Sequence, residues 1–381
     1  MRILCLILAV LILAGCAAAE PAMVPEEPST TPPTPEAPTE PPPTEPPDPI
    51  PELLDILSRE EKVGQLFLAR YPGESALADL EAYHLGGYIL FAEDFADETP
   101  DSMTEQIALC QDAAKIPMFM AVDEEGGTVC RVSAFPIFRQ SQFPSPQQLY
   151  DQGGMDHVLG IEAEKAYLLS SLGLNVNMAP VCDITTKSSA FMYRRSLGQS
   201  PQVTGEFAIG TMELMKAFQV GAVLKHFPGY GNNADTHTGI AHDKRSLEQL
   251  ESEDLVPFAM AIQAGCDAIL VSHTIVEAMD SERPASLSPA VHSYLRSILG
   301  FKGVIVTDDL VMGAITDDFG AGEAAVLAVL AGNDLLCSTE YAVQYAAVLE
   351  AVESGRISEA QLNAAVERVL RWKATLGLIA Q

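Results

Sequence analysis

The chain has 381 residues, with 52 Asp and Glu against 22 Lys and Arg, a formal charge of −30. A field of that sign argues against nucleic acid and anionic lipid surfaces as partners and favours a neutral or small ligand. Hydrophobic residues make up 48% and charged residues 19%, a globular composition with ample apolar surface for a core.

The N-terminus departs from that average. Arg2 precedes an apolar run from Ile3 to Leu13, followed by Ala14, Gly15 and Cys16. Such a run is short for a membrane span and has the shape of a secretory signal. Leu13-Ala14-Gly15-Cys16 resembles a bacterial lipobox. Residues 1–16 are therefore expected to be a lipoprotein signal, with Cys16 as the lipid anchor and an extracytoplasmic, membrane-tethered location. Residues 17–52 follow as a Pro/Thr/Glu-rich tether; 14 of the chain's 26 prolines lie between 21 and 51. That composition cannot bury enough apolar surface to offset its ordering entropy and favours an extended spacer. Membrane contact is expected through the anchor alone, and the protein is expected to be a monomer.

From residue 53 to 381 no comparable break occurs, and the remaining charge is −23, from 44 acids and 21 bases. Short apolar or β-branched runs alternate with longer stretches of helical period. In chain order the predicted strands are Gln65–Ala69, Gly87–Phe91, Met118–Asp123, Val176–Pro180, Ala222–His226, Ala268–His273, Val304–Asp308 and Leu335–Ser338. The predicted helices are Ser102–Ala114, Gly160–Leu172, Pro201–Ala217, Leu247–Ala264, Ser288–Leu299, Gly322–Leu330 and Ala342–Ser354, with a closing amphipathic helix over Ile357–Leu376. This alternation implies a parallel sheet with crossover helices, and eight units in this length fit an α/β fold of the TIM (β/α)8 barrel type. An open doubly wound sheet is disfavoured: Gly126-Gly127 is only a pair, and no GxGxxG follows an early strand. Cys110, Cys130, Cys182, Cys266 and Cys337 are widely spaced and odd in number, and read as free core thiols.

A barrel of this type carries its chemistry at the C-terminal ends of its strands. Reactive residues collect there. The third strand runs into Asp123-Glu-Glu-Gly-Gly, the fifth into Lys225-His226 and then Asp235-Thr-His237, the sixth into Ser272-His273, and the seventh into Thr307-Asp308-Asp309. Each has an ordinary alternative as a helix cap or a rim ion pair, but chance would have to place them all on one face. Hydrolysis of a glycoside needs one group at the anomeric carbon and another that gives and then takes a proton. Asp308, fixed at a strand end, is the candidate nucleophile. His237 with Asp235 two residues before it is the candidate acid/base pair, because a carboxylate can orient an imidazole and support its charged form.

The run Lys225-His-Phe-Pro-Gly229, then Asp235-Thr-His237, then Thr307-Asp-Asp-Leu-Val-Met312, resembles the β-N-acetylglucosaminidases of glycoside hydrolase family 3. The resemblance extends to Asp123-Glu-Glu-Gly-Gly and Arg131, to Ala179-Pro-Val-Cys-Asp183 and to Arg195-Ser-Leu-Gly198, in the family's order over roughly residues 53 to 340. It implies a retaining hydrolase acting through a glycosyl-enzyme intermediate on terminal β-linked N-acetylglucosamine, from cell-wall (peptidoglycan) fragments such as muropeptides or from related glycans. By position it implies Asp308 as nucleophile and His237, supported by Asp235, as acid/base. Asp123, Arg131, Arg195, Lys225 and His226 would hold the sugar hydroxyls, and Met312 would lie near the acetamide. No metal and no organic cofactor is implied. The chain departs from the family at Tyr230 and Asn232, where a Gly-His-Gly-Asp stretch is usual, and at Thr128, where an Arg is usual.

Other readings stay open at this level. A TIM-barrel metallohydrolase would use Asp123, His226, His237, His273 and Asp308. Lys225 beside His226 and the absence of a His-x-His pair at the first strand, which ends Ala69-Arg70, oppose it. A catalytically degenerate sugar-binding lipoprotein is motivated by Tyr230 and Asn232. Phosphate in place of water as acceptor is also compatible with a histidine acid/base.

Overall fold

The structure is a computed structural model that describes residues 48–185, 187–233, 241–312, 315 and 319–380. Eight parallel strands form its centre: β1 Phe67–Arg70, β2 Gly87–Leu90, β3 Phe119–Val122, β4 Val176–Asn177, β5 Gly221–Phe227, β6 Ala268–Val271, β7 Val304–Thr307 and β8 Leu336–Ser338. Each pairs with its neighbour in chain order, and β1 also pairs with β8 through Phe67–Leu336 and Leu68–Cys337. A parallel bridge between Val306 and Leu335 joins β7 to β8, so the sheet closes on itself as a (β/α)8 barrel.

All eight strands fall within or beside the stretches expected from the sequence. These strands are buried on both faces, and their apolar runs are continuous, as parallel strands under helices should be. Leu68, Ile89, Phe119, Val176, Val223 and Val304 are among those that fill the interior. The barrel base is closed by the C-terminal helix Glu359–Thr375, whose Trp372 lies 4.5 Å from the Phe119 ring. The next residue, Lys373, is fully buried there, donating to Gln65 Oε1 at 2.6 Å and standing 5.1 Å from the Phe119 ring. Burial pushes its ammonium down to about 7. The larger core cluster lies between the sheet and its ring of helices.

Several helices differ from expectation. The stretch read as one helix, Leu247–Ala264, is two, Leu247–Ser252 and Leu255–Gln263, broken at Glu253 where the backbone leaves helical geometry. Ser288–Leu299 is a short α-helix, Pro289–Ser293, continued by a π-helical turn, Tyr294–Ile298. The helix expected to start at Gly160 starts at Pro146, capped by Ser145, and bends at Gly153-Gly154, where Gly154 has φ +68°. Helix Ala76–Tyr83, between β1 and β2, carries a weak apolar stripe and was not predicted. Helix Ile50–Ile56 begins inside the stretch assigned to the tether, and Asp48 just before it pairs with Arg371 of the C-terminal helix at 3.0 Å. The five cysteines from Cys110 to Cys337 are free and buried, as expected.

Candidate active site

The C-terminal ends of the strands open into a cavity of about 770 Å³. Asp123, Arg131, Arg195, Lys225, His226, Asp308 and Met312, all singled out from the sequence, line it together. Asp235 and His237 lie outside the described residues, as does Cys16.

The chain after β3 turns at once into a two-stranded hairpin, Glu124–Gly126 against Val129–Cys130. The turn needs glycine. Gly126 and Gly127 have φ +99° and +67°, and a Cβ on Gly126 would collide with the Pro144 carbonyl. The hairpin gives three successive carboxylates three different sets of partners. Asp123 faces the cavity. Glu124, buried, accepts from the Arg131 and Val132 N–H groups, both at 2.8 Å, and from the Ser133 hydroxyl at 2.5 Å, which fixes the backbone that carries Arg131 just past the hairpin. Glu125, also buried, takes Arg195 through two contacts of 2.6 and 2.9 Å and Lys225 at 2.7 Å. Lys225 reaches Asp123 at 2.5 Å as well.

Burial alone would raise the Glu125 carboxyl and lower the Lys225 ammonium. The charges of Arg195 and Lys225 overturn the first and hold Glu125 well below the usual carboxylate range. Asp123 and Glu125 overturn the second and raise Lys225. The result is a chain of fixed charges from Asp123 through Lys225 and Glu125 to Arg195. It presents one acceptor and two multivalent donors to the cavity, which is what gripping adjacent hydroxyls of a sugar ring requires.

His226 is oriented from below. Its Nδ1 lies 2.7 Å from Asp183 Oδ2, and its own backbone N–H also donates to that oxygen at 3.2 Å. Its Nε2 lies 3.3 Å from an Arg195 guanidinium nitrogen. Arginine can only donate, so Nε2 accepts and Nδ1–H donates to Asp183. The other Asp183 oxygen accepts from the Tyr230 N–H at 2.7 Å. Tyr230 is buried with its ring 5.1 Å from the His226 ring, in an edge-on arrangement. Asn232 accepts from the Thr185 hydroxyl at 3.0 Å and from the Lys187 N–H at 3.1 Å. Two of the positions at which the chain departs from the family pattern thus carry contacts of their own: Tyr230 covers His226, and Asn232 ties its loop to Thr185 and Lys187. Thr128 stands exposed at the hairpin turn.

The root of this loop rests on a buried ion cluster. Arg245 pairs with Asp243 at 2.6 Å and with Asp254, and Asp254 abuts Gly229, whose φ is +123°. Burial raises the Asp254 carboxyl to about 7, against the pull of Arg245.

Asp308 follows β7. Its Oδ1 accepts from the Asp309 N–H at 3.0 Å. Burial would raise its carboxyl, but the His273 and His226 rings, that N–H and Lys225 hold it below the ordinary aspartate value. His273 also fixes the local backbone. Its Nε2 lies 2.9 Å from the Asp309 carbonyl and so donates to it, while Nδ1 meets the Ser286 hydroxyl at 2.7 Å. Asp309 also lines the cavity, but its carboxylate accepts from Thr339 Oγ1 at 2.5 Å, and burial raises its carboxyl. Asp308 is therefore an ionised carboxylate at a fixed position, and Asp309 is an anchor. Arg131 stands on another part of the wall, its guanidinium 5.5 Å from the Phe91 ring and its Nε buried without a hydrogen-bond partner. Met312 is a nearly buried apolar contact.

The sequence did not single out Glu125, Asp183 or Asp309 as site residues, although all three stand in motifs it marked. Their signal was adjacency to Asp123, to the Ala-Pro-Val-Cys run and to Asp308. Which of two neighbouring carboxylates faces a cavity depends on the turn that follows, and that is set in three dimensions.

The family model described as "Glycosyl hydrolase family 3 N terminal domain" matches residues 58–372. The chain is 34% identical over 307 residues to a protein named Beta-hexosaminidase from Stenotrophomonas maltophilia (strain R551-3), covering 77% of this chain and 87% of that protein. It is 30% identical over 325 residues to Beta-hexosaminidase A from Pseudoalteromonas piscicida, covering 78% of this chain but only 54% of that protein, so it spans about half of that relative's length. A solved glycoside hydrolase family 3 beta-N-acetylglucosaminidase from Paenibacillus sp. str. FPU-7 superposes with a TM-score of 0.80 at 32% identity, covering 85% of this chain and 64% of the other. A solved GH3 family glycosyl hydrolase from Mycobacterium smegmatis superposes with a TM-score of 0.76 at 31% identity, covering 84% and 98%. The matched span takes in every barrel strand and every described residue of the site, and the chain belongs to glycosyl hydrolase family 3.

Proposed function

We propose that this chain is a retaining β-N-acetylhexosaminidase that removes terminal, non-reducing, β-linked N-acetylglucosamine from cell-wall (peptidoglycan) fragments or related glycans. The observation that carries the reading is the setting of Asp308, a carboxylate kept ionised on the wall of a cavity whose neighbouring polar groups form a hydroxyl grip. In the first step a carboxylate oxygen of Asp308 attacks the anomeric carbon. The glycosidic C–O bond breaks as His237, supported by Asp235, protonates the departing oxygen. In the second step His237 takes a proton from water, and that water cleaves the glycosyl ester and restores Asp308. Asp123, Lys225, His226 and Arg195 hold the ring, with Arg131 and Met312 completing the pocket. The names of the relatives above, hexosaminidases of the same family, support the substrate class.

The N-terminal reading belongs to the same proposal. Cys16 carries the lipid, residues 17–52 are the tether, and the barrel works on the outer side of the cell membrane as a monomer. The metal-centred alternative is disfavoured by geometry, since both ring nitrogens of His226 are engaged by Asp183 and Arg195 and Lys225 lies alongside.

The test is turnover of a chromogenic β-N-acetylglucosaminide by the full chain, with and without a chelator, beside Asp308→Ala and His237→Ala. Turnover should survive chelation and fall by at least about a thousandfold in Asp308→Ala, and by less in His237→Ala when the leaving group is good. Sugar binding with no turnover by the native chain would instead leave a sugar-capture lipoprotein, and activity lost on chelation would restore the metal-centred reading.

A further inference from the structure

The cavity gathers cations that are scarce elsewhere in the chain, beside four carboxylates of its own lining, Glu93, Asp123, Asp308 and Asp309. A chain with 52 acids and 22 Lys and Arg places Arg70, Arg131, Arg194, Arg195 and Lys225 around this one opening. Three of these cations are neutralised by fixed carboxylates. Arg70 pairs with Asp94 at 2.6 Å and Glu93 at 2.9 Å, Arg195 with Glu125 at 2.6 Å, and Lys225 with Asp123 at 2.5 Å. Arg131 and Arg194 form no ion pair among the described residues. Arg131 is half-buried on the wall. Arg194 is exposed at the mouth, one residue before Arg195 of the grip.

Arg194 is nevertheless not on a loose loop. The segment that carries it is a tight turn, closed by the Arg195 and Ser196 N–H groups donating to the Met192 carbonyl at 3.0 and 2.9 Å. Its neighbours on both sides are pinned: Met192 and Ser196 are fully buried, and the Arg195 guanidinium is locked on Glu125. The turn thus holds the base of an unpaired guanidinium at a set position on the rim.

We infer that Arg194 is a specificity-determining residue that binds a carboxylate on the leaving group of the substrate. This rests on the glycosidase reading above and names a feature of its substrate. In an enzyme that removes a terminal sugar, that sugar fills the deep end of the cavity, against Asp123, Lys225 and Asp308. The leaving group then runs outward past the mouth, where Arg194 stands. An exposed guanidinium that no carboxylate among the described residues pairs with meets a substrate carboxylate there through a charge-assisted hydrogen bond. In a molecule whose overall field repels anions, a local basic rim also offsets the cost of bringing an acidic saccharide to the site.

A matched pair of substrates isolates the charge: N-acetylglucosamine β-1,4-linked to N-acetylmuramic acid, and the methyl ester of the same disaccharide. The native full-length enzyme should favour the acid over the ester by roughly two- to fivefold in kcat/KM at low salt, the worth of one exposed charge-assisted contact. High salt should erode that preference. Arg194→Ala should bring the ratio to about one, Arg194→Lys should keep part of it, and Arg194→Glu should invert it. A native ratio of one, or a preference that survives in Arg194→Ala, overturns the inference while leaving the glycosidase intact. Failure of the native enzyme to turn over the ester and a neutral chromogenic N-acetylglucosaminide alike overturns the glycosidase reading, and the inference with it.

Discussion

Replacing Glu125 with Gln tests whether the grip on the sugar depends on a residue behind it. Glu125 is 3% exposed and does not line the cavity, yet it is the shared counter-ion of Arg195 and Lys225. The substitution keeps the shape and removes the charge. Breaking one member of a buried ion pair typically costs about 3–5 kcal/mol, because the partner stays buried and uncompensated. Here Lys225 keeps Asp123, whereas Arg195 loses both of its carboxylate contacts. The expected loss is therefore at the lower end, about 3 kcal/mol, measured by urea denaturation at neutral pH. Kinetics at a temperature where the variant remains folded separate stability from positioning. Arg195 and Lys225, no longer held to a common centre, should drift by a fraction of an ångström or more, and misplacement on that scale costs up to about a hundredfold in kcat/KM. Much of the loss should appear in KM, since the grip acts on the bound sugar before and during reaction. A variant that loses stability but keeps native kcat and KM would make Glu125 purely structural, and one that loses neither would refute the charge-network argument altogether.

Two further outcomes follow from groups away from the chemistry. Lys373 in the barrel base has a folded-state pKa of about 7, whereas an unfolded lysine titrates near 10.4. Between those values the unfolded chain binds a proton that the folded one does not, so this group makes stability rise with pH from about 7 to about 10 and imposes its full penalty below about 7. Lys373→Met should abolish that slope and stabilise the protein at pH 6 by a few kcal/mol, less the hydrogen bond lost to Gln65; denaturation curves of both proteins from pH 6 to 10 check it, and parallel curves would refute it. Gly229→Ala should destabilise by about 2 kcal/mol or more and lower activity, because a Cβ at φ +123° would overlap the Asp254 side chain under the root of the loop that leads to Asp235 and His237. A native melting temperature with native kcat/KM would show that the root of that loop tolerates displacement.

The parts of this molecule that were legible from sequence share a physical property: one local pattern decides them. Strands such as Val304–Thr307 and Ala268–Val271 are buried on both faces, so their apolar runs are unbroken and bounded by polar residues at the end that bears the chemistry. Asp308, Lys225 and Asp123 could be placed on one face for that reason alone, since a parallel barrel brings all its strand ends to one side. The helix boundaries failed where two patterns compete. Leu247–Gln263 is helical in composition throughout, but the break at Glu253 places Asp254 next to Arg245, a contact across nine residues that helical periodicity does not signal.

The division of labour among Asp123, Glu124 and Glu125 was hidden for a deeper reason. In an extended strand, alternate residues face opposite sides, so Asp123 and Glu125 would be expected to act alike and Glu124 to differ. Asp123 and Glu125 do share Lys225, but the Gly126-Gly127 turn buries Glu125 as the counter-ion of Arg195 as well, makes Glu124 an anchor for the backbone at Arg131 and Val132, and leaves only Asp123 to the cavity. The same holds for Asp308 and Asp309, one set among His273, His226 and Lys225 and the other tied to Thr339. Adjacent acids of similar chemistry acquire different roles because each meets a different set of partners: Lys225 for Asp123, N–H groups and the Ser133 hydroxyl for Glu124, Arg195 and Lys225 for Glu125, and Thr339 for Asp309. The nucleophile can be proposed from its position, but the charge state that makes it one follows only once His226, His273 and Lys225 are seen beside it.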